Sequence, residues 1–377
     1  MQHPASHIFE FTPETLAGWC EARGMTPFRA KQILEWIYVK GVADPAQMSN
    51  LSKRDREALT AEMTFLSGDP LAHQSATDGT QKLLIEWRDF TESGPSADQG
   101  VSLPVMNSAK PTSDGSDRQT ECVMIPTEER KTACISSQIG CPVGCRFCAS
   151  GMGGLDGNLS TGRIVEQVWR LGRLKDVGRI SNVVFMGMGE PLSNFKNVTG
   201  AIRVITALWG LGISARKVTV STVGLPQAIR RLAEEFELPV TLALSLHAPN
   251  DYIRRKLIPW AEYTTISDLL GACHLWFEKT GREITLEYTL LRDVNDRPKH
   301  AEELAGIAKS IRANINLIRY NEVAGTDFQR PRNTDVLEFQ KILRSHNINA
   351  HIRASRGRDI AAACGQLRHE AAGATGE

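Results

Sequence analysis

Cys134, Cys141, Cys145 and Cys148 put four of the chain's eight cysteines into the fifteen-residue stretch CISSQIGCPVGCRFC. The last three form a C-x3-C-x2-C pattern, and six residues separate Cys134 from it. Three thiolates suit an iron–sulfur cluster that keeps one iron open for a small molecule, because clusters held only for electron transfer usually take four protein ligands. Zinc is the alternative: structural zinc is four-coordinate, and Cys134 could complete its ligand set. Against zinc stand the missing second pair of a zinc ribbon and the position of the cysteines directly after an apolar strand. Cys20, Cys122 and Cys273 match no spacing and read as buried thiols.

Such cysteines need a scaffold to aim them. From residue 133 onward, short apolar runs (133–137, 182–186, 217–221, 241–246, 284–290 and 315–318) alternate with helix-length segments (161–174, 195–209, 226–235, 266–279, 299–311 and 334–346). Nearly continuous apolar strands separated by helices predict a parallel sheet covered on both faces, and six such units predict an incomplete (βα)6 barrel. Active sites of such folds lie at the C-terminal ends of the strands.

Upstream the texture differs. Residues up to about 70 read as short helices. Thr26 is expected to cap and Pro27 to open a helix whose Ala30, Ile33, Leu34 and Ile37 share a face, and a second helix is expected over 52–65. Residues 78–90 alternate as a strand, and ECVMIP resumes the strand signal. The Ser-, Gly-, Pro-, Asp- and Asn-rich stretch 91–119 is expected to lack fixed structure and to sit at the tip of a hairpin. The expected division is a helical accessory domain at 1–75, a hairpin linker at 76–130, the barrel at 131–354 and a C-terminal segment at 355–377.

With 41% hydrophobic residues, 377 residues can bury a large core, which excludes a disordered chain. No run of 18 apolar residues could span a bilayer, and MQHPASHIFEF lacks the pattern of a signal peptide, so a cytoplasmic location is expected. Thiols there stay reduced, which favours metal binding or chemistry over a disulfide framework. A net charge of +1 says nothing global about nucleic acid, but Arg23 to Arg56 carries an excess of four positive charges and Arg353 to Arg368 an excess of three. Either could contact phosphates.

Taken in order, CISSQIGCPVGCRFCASG, VVFMGMGEPLSN, STVGLP, ALSLHAPND with IRRKLIP, EYTLLRDVND, NLIRYNEV and RASRGRDIAAACGQL resemble the RlmN/Cfr methyltransferases of large-subunit ribosomal RNA, which are radical S-adenosylmethionine (SAM) enzymes. PFRAKQILEWIYVKGV and NLSKRDREAL resemble that family's N-terminal accessory domain. The resemblance implies that Cys141, Cys145 and Cys148 hold a [4Fe-4S] cluster whose open iron binds SAM. It implies SAM contacts from Gly189, Glu190, Ser221, Ser245, Leu246, His247 and Asn321.

Two further cysteines gain roles by the same resemblance. Adenine carbon 2 offers no lone pair to a methyl donor, so the family works indirectly and spends two SAM molecules per turnover. Cys364 takes a methyl group, which is converted to a radical and added to adenine, and Cys134 resolves the resulting protein–RNA thioether by forming a disulfide. Glu121 matches the family's proton acceptor. The implied substrates are an adenosine of 23S rRNA and some tRNAs, with the base unstacked to reach Cys364. A reducing partner such as flavodoxin or ferredoxin is implied, and the protein is expected to be a monomer. Two other readings stay open: a Cfr-type enzyme methylating carbon 8 with the same machinery, and a zinc-stabilised RNA-binding protein without catalysis.

Overall fold

The computed structural model describes residues 1–89 and 118–367. Its centre is a ten-stranded sheet in which seven strands run parallel in chain order: β4 (Lys131–Cys134), β7 (Asn182–Phe185), β8 (Val218–Thr222), β9 (Thr241–Ser245), β10 (Ile284–Leu290), β11 (Ala313–Arg319) and β12 (Ala350–Arg353). These strands are apolar because helices cover them. Helices α5 (Thr161–Leu171), α6 (Phe195–Thr206), α7 (Pro226–Glu235), α8 (Asp251–Leu257), α9 (Ile266–Thr280), α10 (Pro298–Ser310) and α11 (Asn333–Ser345) provide the crossovers that parallel pairing demands. The six expected βα units are present, and β12 adds a seventh strand that the sequence reading assigned no structure. Its AHIR is short, and only Ala350 is fully buried, so it lacks the apolar run of its neighbours.

Three antiparallel strands extend this sheet from β4: β1 (Gly68–Ser75), β2 (Gln81–Trp87) and β3 (Gln119–Pro126). Glu86 pairs with Gln119, so the segment joining β2 to β3 connects neighbouring strands. The expectation that 91–119 lacks fixed structure falls outside the described residues except at 118–119, and Gln119 already belongs to β3.

The N-terminal residues form α1 (Pro13–Glu21), α2 (Phe28–Leu34) and α3 (Lys53–Glu62). Thr12 and Thr15 close a capping box on α1, and the Ser52 hydroxyl accepts the Asp55 amide on α3. Helix α2 starts one residue later than expected: Pro27 stands at the cap, and Thr26 contributes its carbonyl to Arg29 rather than its hydroxyl.

Glu166 on α5 ties this layer to the barrel. Its carboxylate accepts from Ser67 N and Oγ at 2.8 Å each, Gly68 N at 3.2 Å and Arg170 Nε at 2.8 Å, and it lies 3.2 Å from His7 Nε2. Burial opposes its charge, but His7, Arg170 and Ser67 hold the carboxyl below its usual range. Glu166→Ala strands these partners in the core, so unfolding in urea should show a loss of about 3–5 kcal/mol. A carboxyl with a depressed folded pKa stabilises fully above its unfolded value of about 4.3, and that contribution fades as pH falls through the folded value. The gap between wild type and variant should therefore narrow in acid.

Candidate functional site

The cysteine loop grows out of a small hairpin that follows β4. Strands β5 (Gln138–Gly140) and β6 (Leu155–Asn158) pair antiparallel, and the loop between them carries all three cysteines and the one-turn helix α4 (Ala149–Met152). Cys141 N donates to Gly154 O at 2.7 Å, which closes the loop at its base. Gly140 there has φ +71, and a Cβ would stand 2.0 Å from Gly154 O, so no other residue fits. The segment ASGMGGLDGN thus supplies α4, this clamp and β6.

Burial raises the thiol pKa of Cys141, Cys145 and Cys148, and each feels or exerts charge on another of the three. Backbone N–H groups of Val143 and Gly189 are aimed at the Cys141 sulfur, and those of Ser150 and Gly151 at Cys148. Grouped soft donors with amides directed at their sulfurs are what an iron–sulfur cluster requires of its ligands. Among the described residues no three His, Cys, Asp or Glu side chains converge as ready ligands of a single ion. A multi-iron cluster spreads its ligand sulfurs further apart than one ion does.

The residues expected to contact SAM gather at the C-terminal ends of the parallel strands. Gly189 follows β7 with φ +100, and a Cβ would lie 2.7 Å from Gln138 Cβ, so this backbone can approach closely only as glycine. Glu190 is buried. One oxygen accepts Leu192 N at 3.0 Å and the other Val223 N at 2.7 Å, and burial still pushes its carboxyl up to about 7. A ligand ammonium arriving there would restore its charge. Ser221 and Ser245 stand side by side on β8 and β9 with hydroxyls 3.2 Å apart.

Leu246 is buried in the core, with its amide on Glu287 O. His247 adopts φ +55, and its Nδ1 accepts the Thr289 amide at 3.0 Å, which leaves the proton on Nε2. Burial first and Arg254 second lower its pKa to about 3, so the ring is a fixed neutral donor. Phe147 of the cysteine loop packs edge-on against it at 5.1 Å.

Residues 357–367 cross the same end of the sheet. Gly357 N donates to Asp78 Oδ2 at 3.0 Å, Thr77 N to Asp359 Oδ2 at 2.9 Å and Ala149 N to Gly365 O at 2.8 Å. Asn321, after β11, holds the Cys364 carbonyl at 3.2 Å. Cys364 itself is exposed, yet the protein around it pushes its thiol up to about 11, with the Glu287 charge adding and Arg353 opposing. Cys134, at the end of β4, is buried in a small apolar cluster with Val123, Met188, Ala362 and Leu367. Burial and the nearby Cys364 raise its thiol pKa. Glu121 on β3 forms a buried 2.6 Å ion pair with Lys82, whose Nζ also reaches Ala361 O at 3.4 Å.

Glu287 and Asn316, which open EYTLLRDVND and NLIRYNEV, and Lys82 carry no individual role in the sequence analysis, which places Arg353 only in the basic tail. Glu287 and Ser245 pair in register on adjacent strands, and Asn316 Nδ2 donates to Glu287 Oε1 at 2.8 Å. The one local signal was an acid inside the apolar strand ITLEYTL, which only a polar interior would tolerate.

Comparison with known proteins agrees with this arrangement. Residues 6–64 match a family described as the ribosomal RNA large subunit methyltransferase N-terminal domain, and residues 135–308 match the radical SAM superfamily. The dual-specificity RNA methyltransferase RlmN of Dichelobacter nodosus is 39% identical over 369 residues, covering 96% of this chain and 93% of that protein. A probable dual-specificity RNA methyltransferase RlmN of Thermosynechococcus vestitus is 41% identical over 354 residues, covering 94% and 95% respectively. The crystal structure of a radical SAM methyltransferase from Sphaerobacter thermophilus superposes with a TM-score of 0.86 at 36% identity, over 97% of this chain and 100% of that one. The chain belongs to the RlmN family of radical SAM RNA methyltransferases, which work with a [4Fe-4S] cluster and SAM.

Proposed function

We propose that this enzyme methylates carbon 2 of an adenosine in 23S rRNA, and of adenosines in tRNA, with Cys364 as the carrier of the incoming carbon. Cys141, Cys145 and Cys148 would hold the cluster, and Gly189, Glu190, Ser221, Ser245, Leu246, His247 and Asn321 would line the SAM site. When bound, these groups supply a 5′-deoxyadenosyl radical by reductive cleavage of SAM. The observation that carries the reading is the path of residues 357–367, which brings the Cys364 thiol within electrostatic reach of both Cys148 and Cys134.

In this reading Cys364 presents its thiol at the open end of the barrel while Asn321 fixes its backbone. Glu121, oriented by Lys82, takes the proton that adenine carbon 2 must lose. Cys134, as thiolate, then attacks the Cys364 sulfur. The sulfur–carbon bond breaks with its electron pair going to the departing carbon, which takes up a proton and becomes the product methyl group, and a Cys134–Cys364 disulfide remains. The names of the relatives support RNA as substrate, and the basic accessory helices offer phosphate contacts. A flavodoxin or ferredoxin would supply electrons, and the work would take place in the cytoplasm by a monomer.

The test is mass spectrometry of adenosines from 23S rRNA and tRNA after anaerobic incubation of reconstituted enzyme with SAM and a reductant. The expected product is 2-methyladenosine. Finding 8-methyladenosine instead would move the enzyme to the Cfr-type branch, and a zinc-loaded protein without product would end the enzymatic reading.

A further inference from the structure

Arg254 lies on α8 with no solvent exposure. Its Nη2 donates to Val223 O, whereas Nε and Nη1 have no hydrogen-bond partner. Arginine keeps its charge in proteins, and an uncompensated buried ion costs several kcal/mol. Among the described residues no carboxylate hydrogen-bonds to it. Asp251, a turn earlier on the same helix, spends one oxygen on the Ile266 amide; its charge also acts on Arg254, after that of Cys145, and His247 nearby is neutral.

Arg254 and Cys145 lie within electrostatic reach of each other, and Cys145 is the negative group that acts most on the guanidinium. Helix α8 is also fastened to the cysteine loop, because Arg146 N donates to Leu257 O at 3.0 Å. Val223, which receives the guanidinium, gives its own amide to Glu190 at 2.7 Å. The cation is thereby fixed between the cysteine loop and the ends of β7 and β8, with two donors unused.

We infer that Arg254 is the internal counter-cation of the three-cysteine site and that its charge raises the reduction potential of the iron–sulfur cluster bound there. This rests on the proposed ligand role of Cys141, Cys145 and Cys148. Reduction adds one electron and no proton, so the reduced cluster is one unit more negative than the oxidised one. A fixed positive charge in a low-dielectric interior stabilises the more negative form. Fully buried, Arg254 acts through the cluster in this role, which makes it a positioning residue whose signature is a potential.

The experiment compares wild type with Arg254→Lys, Arg254→Gln and Arg254→Met, each reconstituted anaerobically with iron and sulfide and counted for iron. Mediated dithionite titrations without SAM follow the reduced cluster by electron paramagnetic resonance. Arg254→Lys should titrate near wild type. Arg254→Gln keeps donors but loses charge, and with Arg254→Met it should be about tenfold less reduced at the wild-type midpoint, a fall of about 59 mV for one electron.

Wild-type potentials in both neutral variants overturn the inference, as does an equal fall in Arg254→Lys. If Arg254→Met holds no iron, Lys against Gln decides by the same criterion. If both neutral variants lose iron while Lys keeps it, the counter-cation role stands; loss from Lys as well overturns it. Weakened SAM binding with an unchanged potential also overturns it, in favour of a direct SAM contact. A wild-type protein that takes up no cluster would instead sink the ligand reading on which this inference rests.

Discussion

Cys364→Ala is expected to abolish RNA methylation while leaving iron content and SAM binding at wild-type levels. Losing a covalent catalytic group costs at least about 10⁴-fold when nothing else can replace it. Nothing nearby can, because the neighbouring thiols are either committed to the cysteine loop or buried. The exposed Cys364 side chain supports little packing, so the fold should survive. Its thiol, pushed up to about 11, also predicts that stoichiometric methyl loading of Cys364 speeds up as pH rises from 7 to 10, since the thiolate is the nucleophile. Quantifying methylated adenosine against bound iron checks the first expectation, and intact-protein mass after a single turnover checks the second. Methylation of RNA by the Ala variant at wild-type rate would remove Cys364 from the chemistry.

The barrel was legible because its strands are short apolar runs with helix-length spacing, and that spacing is a local property. The cysteine loop was legible for the same reason: its ligand set lies within eight residues. Residues that meet only across strands were not. Asn316 reaches Glu287 from the adjacent strand, and Lys82 reaches Glu121 over a pair of strands whose connecting segment is long. Arg254 reads as one more cation in IRRKLIP; only packing shows that it is buried while Arg255 and Lys256 are exposed. Strand β12 was missed because an edge strand needs little apolar surface.

Glycines were legible as motif members but not as geometry. Gly140 and Gly189 look alike in sequence, yet one closes the cysteine loop on Gly154 and the other lies against Gln138 beside Glu190. Thr26 shows the opposite failure, where a good capping residue stands one position from where its side chain could cap.

Cys134→Ala is expected to arrest the enzyme covalently on its RNA. Cys134 lies at the end of β4 under the segment carrying Cys364, sharing the apolar cluster of Ala362 and Leu367. Removing its sulfur takes away the thiol that would release the product and leaves the methyl-carrying thiol untouched. Cys122 cannot stand in. Val123, not Cys122, pairs with Cys134, and because side chains alternate across a strand Cys122 faces the main core on the other side of the sheet. The lost sulfur should cost only about 1 kcal/mol of stability, so the variant remains folded and loads its cluster. The trapped species should migrate as a protein–RNA adduct that survives denaturant and thiol reductant, because a thioether is not a disulfide. Ribonuclease digestion should leave a nucleotide mass on the peptide containing Cys364. Full turnover by Cys134→Ala, with no adduct, would mean that the product leaves without a resolving thiol, and the thioether bridge would have to be abandoned.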